Sequence, residues 1–415
     1  GILCIIKTHY TDFPMFFKRF TSIFKTKRIY LDYASSTPVD QKMIDSFPRI
    51  PETYAGANPS ALHREGVALK RALSNARTLV AKTLGVHADE IVFTSNASES
   101  DNLAIIGSVK FFLQKGILPN EITIYSSPFE HSAVKESITS LSSEITVQTF
   151  LQEQGFVITK SLVVPEGTKA MIVSVMMVQN EIGTVQDIKD IAKHIRKLRK
   201  ECPGVEILFH TDATQAPLFY DLNVARLGVD MMTLGATKLY CQKGVGMLYK
   251  KRAVSVAPLL HGGGQESGLR PGTEPVSLIY QFAHALSYAQ SHREEAVQKI
   301  TSLQRCFERQ VKEALPQIRI TGEEGVRSPH ISHLVVPKMD SELLVIELDA
   351  RGVAVSSKSA CRNEDSNESE LLTLLYPSET VGAIRVSYGR KTTKRQLDKT
   401  IKAIQSVLKK YQIVL

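Results

Sequence analysis

Ile207-Leu208-Phe209-His210-Thr211-Asp212-Ala213-Thr214-Gln215 runs from three apolar residues straight into a carboxylate. Ile207–Phe209 has the composition of a buried strand. A carboxylate at the end of such a strand is costly unless a cation or several donors meet it. Upstream, Ile188–Glu201 repeats apolar residues at Ile188, Ile191, Ile195 and Leu198, the spacing of a helix with one buried face. Before that helix, Ala170–Val178 is an unbroken apolar run, as expected of a strand covered on both sides. Downstream, Met231–Leu234 and Val245–Tyr249 are further strands. Toward the N-terminus, Glu90–Thr94 and Ile122–Tyr125 are strands, with a helix from about Glu99 to Lys115 between them. Strands alternating with helices predict an α/β fold with a mainly parallel sheet and helices on both faces.

In open parallel sheets ligands bind beyond the carboxyl ends of the strands. The polar residues of this chain collect there. Ser95-Asn96-Ala97-Ser98-Glu99 follows the strand that ends at Thr94. His131 follows the strand 122–125, Asn180-Glu181 follows 170–178, Asp212 and Gln215 follow 207–209, and Lys238 follows 231–234. Small and hydroxylic residues opening a helix suit an anion, because the first turn has unpaired N–H groups. The same residues also describe an ordinary N-cap at Ser95 or Ser98. Asp212 suits a protonated pyridine nitrogen, or equally a helix cap. Lys238 alone reads as a solvated lysine. Together with Asp212 it reads as a Schiff-base lysine, which needs burial or a nearby cation to lower its pKa.

Past residue 290 the character changes. Glu294–Leu315 is helical, Ile318–Thr321 and His333–Val336 are short strands, Leu343–Leu348 is a helix, Ile384–Ser387 a strand, and Lys394–Tyr411 a final helix. This order predicts a smaller α+β domain. The expected division is a basic N-terminal extension over 1–28, a large domain over 29–289 and a C-terminal domain over 290–415. Arg362–Glu370 is polar and acidic and is expected to be a mobile loop.

With 415 residues, 43% of them hydrophobic and 22% charged, the chain can bury a sizeable core. The net charge of +9 is concentrated at the start, where residues 1–28 hold Lys7, Lys18, Arg19, Lys25, Lys27 and Arg28 against Asp12. That is not the footprint of a nucleic-acid-binding surface. The cysteines are odd in number and widely spaced, with no Cys-x-x-Cys pair. This argues against a disulfide framework or a zinc site and fits a reducing, cytoplasmic setting. No apolar run is long enough to span a membrane. The N-terminal stretch, with Phe13, Phe16, Phe17, Phe20 and Phe24 among basic residues, leaves a targeting segment, a membrane-surface helix and a frayed extension all open.

Across most of residues 29–410 the chain resembles the cysteine desulfurases, NifS- and IscS-like class-V aminotransferases of fold-type I that use pyridoxal 5'-phosphate (PLP). The matching stretches are Tyr30-Leu31-Asp32-Tyr33-Ala34, Asn58-Pro59-Ser60, Thr94 to Asn102, Glu130-His131-Ser132-Ala133-Val134, Asn180-Glu181-Ile182-Gly183 and His210 to Gln215. They continue with Lys238, His261-Gly262-Gly263-Gly264-Gln265-Glu266, Arg270-Pro271-Gly272-Thr273 and Ser356-Ser357-Lys358-Ser359-Ala360-Cys361. The resemblance implies a seven-stranded sheet domain flanked by helices and a homodimer that converts L-cysteine to L-alanine. It assigns Lys238 to the cofactor linkage and α-proton transfer, Asp212 to the pyridine nitrogen, and Gln215 to the ring oxygen. His131 would stack on the ring and assist proton transfer. Ala97, Ser98 and Thr237 would hold the phosphate, with Thr273 of the second subunit. Asn180 and Arg385 would hold the substrate carboxylate. Cys361 would attack the substrate sulfur and carry it as a persulfide to an acceptor, an iron–sulfur scaffold or a tRNA-thiolation protein.

Three positions depart from the pattern. Gly235-Ala236-Thr237-Lys238 stands where the family has Ser-Gly-His-Lys, so a phosphate-binding hydroxyl is missing and weaker PLP retention is expected. Tyr240-Cys241-Gln242 replaces a Gly-Pro turn. Lys358 replaces a glycine before Ser-Ala-Cys, which either favours the Cys361 thiolate or stiffens its loop. The resemblance also leads to the expectation that a C-terminal extension used for scaffold docking is lacking. A selenocysteine lyase, a related aminotransferase and a degenerate PLP-fold scaffold subunit are the competing readings.

Overall fold

The structure is a computed structural model that describes residues 28–51, 54, 56–357, 370–377 and 381–413. The chain opens with a short strand, β1 (Ile29–Tyr30), and a long helix, α1 (Arg64–Leu84). Then follow β2 (Ile91–Thr94), α2 (Ala97–Gln114), β3 (Ile122–Ser126), α3 (Ser132–Thr139) and β4 (Thr146–Thr149). Next come β5 (Ala170–Ser174), α4 (Ile188–Glu201), β6 (Glu206–Asp212), β7 (Met231–Gly235) and β8 (Gly246–Lys250). These strands make one seven-stranded sheet in the order β2-β8-β7-β6-β5-β3-β4. Only β8 runs against its neighbours.

The central strands are apolar because both faces are covered. Every residue of β5 and β7 is buried. On α4, Asp187 caps the N-terminus by accepting from Asp190 N at 3.0 Å, and Ile188, Ile191, Ile195 and Leu198 are buried, as the spacing predicts. Each such side chain contributes roughly 1.5–3 kcal/mol. The strand expected over 170–178 is shorter. Its partner β3 ends at Ser126, opposite Ser174, so the ladder loses one side there. Residues 175–177 continue along β6 alone, with Val175 N donating to His210 O and Met177 N to Asp212 O. That one-sided extension carries the chain toward Asn180.

Helix α5 (Val276–Ser291) breaks at His292 and continues as α6 (Arg293–Ala314). Strands β9 (Arg319–Ile320) and β10 (Ile331–Pro337) lead to α7 (Ser341–Ala350), β11 (Val353–Ala354), α8 (Glu370–Leu375), β12 (Val381–Ser387) and α9 (Lys394–Lys410). The antiparallel sheet β9-β10-β12 is the centre of this unit. Phe307, Leu334, Leu348, Ile384 and Ile404 share its core.

Ile29 and Leu31 also belong to that core, although the sequence groups them with the larger unit. The reason is pairing: β1 adds in parallel to β11, and Ser387 N donates to Leu31 O at 2.8 Å. The described chain therefore pairs first with the C-terminal unit, through β1, and then crosses into the large one. Among the described residues no helix is long and apolar enough to cross a membrane. The basic stretch 1–27 and most of the acidic segment 362–370 lie outside the described residues; Glu370 opens α8.

Candidate active site

The sequence expected five strand ends to meet, and they line one cavity of about 220 Å³. Its walls include Ala97 and Ser98 at the start of α2, His131, Asn180, Asp212, Gln215, Thr237, Lys238 and Arg385. Thr273 is not among them. It is exposed on the loop between β8 and α5.

The turn into α2 is built for an open N-terminus. Asn96 is the cap, in place of the Ser95 or Ser98 considered from sequence, and its Oδ1 accepts from Glu99 N at 2.8 Å. Glu99 in turn accepts from Ser95 N at 2.7 Å. Burial pushes the Glu99 carboxyl up, but the Ser95 donors and Arg270 outweigh it and hold it below its usual value. Gly246 allows the turn to sit against β8, since a Cβ there would lie 2.3 Å from Asn96 C. With Asn96 as cap, Ala97 and Ser98 are the first helical residues, and their N–H groups have no helical acceptor.

Asp212 ends β6 and is buried. Its Oδ1 accepts from Thr214 N at 2.8 Å, which fixes the carboxylate. Gln215 donates through Nε2 to Ala34 O at 2.8 Å, and its Oε1 lies 3.2 Å from His330 Nε2. One Nε2 hydrogen therefore remains to point into the cavity. His330 stacks on Phe219 with centroids 4.6 Å apart, and burial holds its pKa down to about 3. It is a neutral brace behind Gln215.

His131 caps α3, with Nδ1 accepting from Ala133 N at 3.1 Å. That bond puts the ring proton on Nε2. Burial lowers its pKa, so the ring is neutral at pH 7. Lys238 Nζ donates to Ser35 O. Thr237 O accepts from Thr37 N at 3.0 Å, tying the lysine turn to the N-terminal segment.

Arg385 comes from β12, so the C-terminal unit supplies part of the wall. It is 2% exposed. Nη1 donates to Asn180 O at 2.7 Å, and Nη2 to Asp32 Oδ1 at 2.8 Å and to Ser35 Oγ. The fork expected for a substrate carboxylate is thus partly engaged. Its Nε is buried with no acceptor among the described residues. Asp32 lies within a motif noted from sequence, yet no local pattern links it to an arginine more than three hundred residues away.

Cys361, with Lys358 before it, lies outside the described residues. Ser356 is described: its carbonyl accepts from Arg385 N at 2.7 Å, beside the cavity. Cys361 is five residues further on, within about 18 Å of chain reach. Of the other cysteines, Cys241 is buried and its thiol is pushed up to about 12, which makes it inert.

The donor set fits PLP. Helix N–H groups and the Ser98 and Thr237 hydroxyls suit a phosphate, Asp212 has an oxygen left for a pyridinium, and Lys238 reaches the same cavity. Asp101 was missed. It also lines the cavity, 1% exposed, and neither oxygen has a well-formed hydrogen bond among the described residues. The sequence signal is an acid on the buried face of α2, in line with Ala104 and Ser108.

The family model of the class-V aminotransferases matches residues 29–400. The chain belongs to this family of PLP-dependent enzymes. Within the family its relatives are cysteine desulfurases. "Cysteine desulfurase IscS" of Dictyoglomus turgidum is 33% identical over 94% of this chain and 96% of its own. A solved "NIFS-LIKE PROTEIN" superposes with a TM-score of 0.80 at 30% identity, over 92% of this chain and 99% of its own. A structure titled "SspA in complex with cysteine" matches with a TM-score of 0.70 at 32% identity, over 86% and 98%.

Proposed function

We propose that the protein is a cysteine desulfurase that converts L-cysteine to L-alanine and carries the sulfur on Cys361. The observation that carries this reading is the meeting of Lys238, Asp212, His131, Gln215, Thr237, Arg385 and the α2 N-terminus around one cavity.

Ala97 N–H, Ser98 and Thr237 hold the cofactor phosphate, and Asp212 pairs with the ring nitrogen through a charge-assisted bond. Gln215 donates to the ring oxygen, and His131 covers the ring. When bound, PLP supplies an electron sink for the pair released at the substrate α-carbon. Lys238 takes the α-proton and returns a proton to the product. Arg385 orients the substrate by its carboxylate, sharing that charge with Asp32, while Asn180 closes the same wall. The Cys361 thiolate then attacks the substrate sulfur: its Sγ–S bond forms as the substrate Cβ–S bond breaks, the bonding pair stays on Cβ, which takes up a proton, and the carbon skeleton leaves as alanine. A reducing, cytoplasmic setting suits a thiolate nucleophile.

Thr273 supports a homodimer. Its loop is anchored by Glu266, which takes a bidentate pair from Arg77 and a bond from Phe93 N, and by Arg270 on Glu99. An anchored loop carrying an exposed hydroxyl suits the phosphate of a second copy. The sulfur acceptor is a protein, an iron–sulfur scaffold or a tRNA-thiolation factor. Alanine formation from L-cysteine with PLP and a thiol reductant tests the activity; PLP bound without alanine formed would reject it.

A further inference from the structure

Under the cavity floor lies a set of buried polar groups that the proposed chemistry does not use. His210 is fully buried on β6, two residues before Asp212. Its Nδ1 lies 3.0 Å from Ser174 Oγ and its Nε2 lies 3.1 Å from Thr233 Oγ1. Asp101 Oδ1 is 3.7 Å from the same Nε2. Beyond Ser174 stands Glu130, whose Oε1 accepts from Met176 N at 2.6 Å.

Asp101 has three available states, and two fail. As a lone carboxylate it would be a buried charge with at most the Thr233 hydroxyl as a donor, beside the like charge of Asp212. As the partner of a charged His210 it would need an imidazolium wholly removed from water, at a separation of 3.7 Å that is too long for a hydrogen bond. Burial also holds His210 down to about 3. The protonated acid remains. Burial, and then the charges of Asp212 and Glu130, push Asp101 well above its usual value, outweighing the Thr233 hydroxyl. The titratable groups facing it are Asp212 and His210 from β6 and Glu130 ahead of α3; His131 and Lys238 line the same cavity.

We propose that Asp101 is a positioning residue for Asp212: it keeps its proton in the folded protein, so that a single negative charge stays on Asp212 toward the pyridine nitrogen. This rests on the assignment of Asp212 to that nitrogen. The neutral His210, held between Ser174 and Thr233, prevents a competing ion pair.

The apoprotein tests the protonation without involving activity. Asp101→Asn is isosteric and cannot ionise, so its Tm comes closest to that of the wild type at about pH 4, where Asp101 of the unfolded chain is also taking up its proton. At pH 9 it exceeds the wild type by about 2–4 °C. In an Asp212→Asn background that gain shrinks without vanishing, because the like charge is gone while burial, the larger cause, remains. The PLP dissociation constant of Asp101→Asn stays within about threefold of wild type at pH 7.5, while Asp212→Asn raises it about tenfold or more. A Tm below wild type at every pH, a gain unaltered by Asp212→Asn, or a tenfold loss of PLP affinity in Asp101→Asn would overturn the proposal. In ¹³C-aspartate-labelled wild-type apoprotein, one carboxyl resonance should remain in its protonated range at pH 7. Its absence would reject the proposal whether or not the variant folds. If the apoprotein results hold and Asp212→Asn leaves PLP affinity unchanged, the Asp212 assignment fails and the Asp101 protonation stands.

Discussion

Arg385 Nη2 on β12 lies 2.8 Å from Asp32 Oδ1, which follows β1, so two segments more than three hundred residues apart meet at the wall assigned to the substrate carboxylate. An incoming carboxylate must share a guanidinium that already has a counterion. We expect Asp32→Asn to lower the KM for L-cysteine by about threefold or more, while destabilising the apoprotein by about 1–3 kcal/mol through the less well paired Arg385. Steady-state kinetics beside thermal unfolding reads both. A raised KM would mean that Asp32 orients Arg385 more than it competes for it.

Arg385→Lys keeps the charge and loses the planar fork. We expect kcat/KM for L-cysteine to fall about 10–100-fold, mostly through KM, with PLP content unchanged. A loss confined to kcat would place Arg385 in the proton transfers instead.

Gly235 stands where the resemblance read from the sequence leads one to expect a serine hydroxyl. A Cβ there would lie 3.1 Å from Ala97 Cβ, tight enough that the α2 start must give slightly. A new charge-assisted bond to phosphate is worth about 1.5–3 kcal/mol. Part of it is spent moving Ala97, so Gly235→Ser should tighten PLP about 3–10-fold in an equilibrium titration. Weaker binding would show that the turn cannot yield.

The pH dependence follows from groups buried in uncharged form. His210, His330 and His333 are each held by burial at about 3, below their usual 6.5. Stability from keeping them neutral is complete above pH 6.5 and is lost as pH falls toward 3. Glu130 is shifted the other way, by burial, from 4.5 to about 8. Its contribution is complete below pH 4.5 and is lost as pH rises through 8. We therefore expect apoprotein stability to peak near about pH 6. Glu130→Gln should flatten the alkaline side and leave the acid side unchanged. An unaltered alkaline slope would contradict the protonated state of Glu130.

The helix α4 was legible because its apolar spacing is strictly local, and β5 and β7 because strands buried on both faces are continuous apolar runs. The strand ends that carry His131, Asp212 and Lys238 followed from those. What the sequence hid is non-local. The return of β1 to the C-terminal sheet depends on pairing with β11. Asp32 meets Arg385 only through that return. Asp101 and His210 read as ordinary helix and strand residues until the packing removes their solvent. The Asn96 cap was missed because three neighbouring residues could each have capped α2, and only backbone geometry selects one.

Sulfur transfer through Cys361 distinguishes the proposed reaction from that of a lyase. The most direct measurement is alanine formation from L-cysteine by the PLP-loaded protein with a thiol reductant, beside Cys361→Ala. We expect alanine from the wild type, and a loss of at least about 100-fold in the variant with PLP still bound, since removing the nucleophile removes the covalent route. Equal rates in both proteins would contradict it and move the chemistry to a lyase that needs no enzyme thiol.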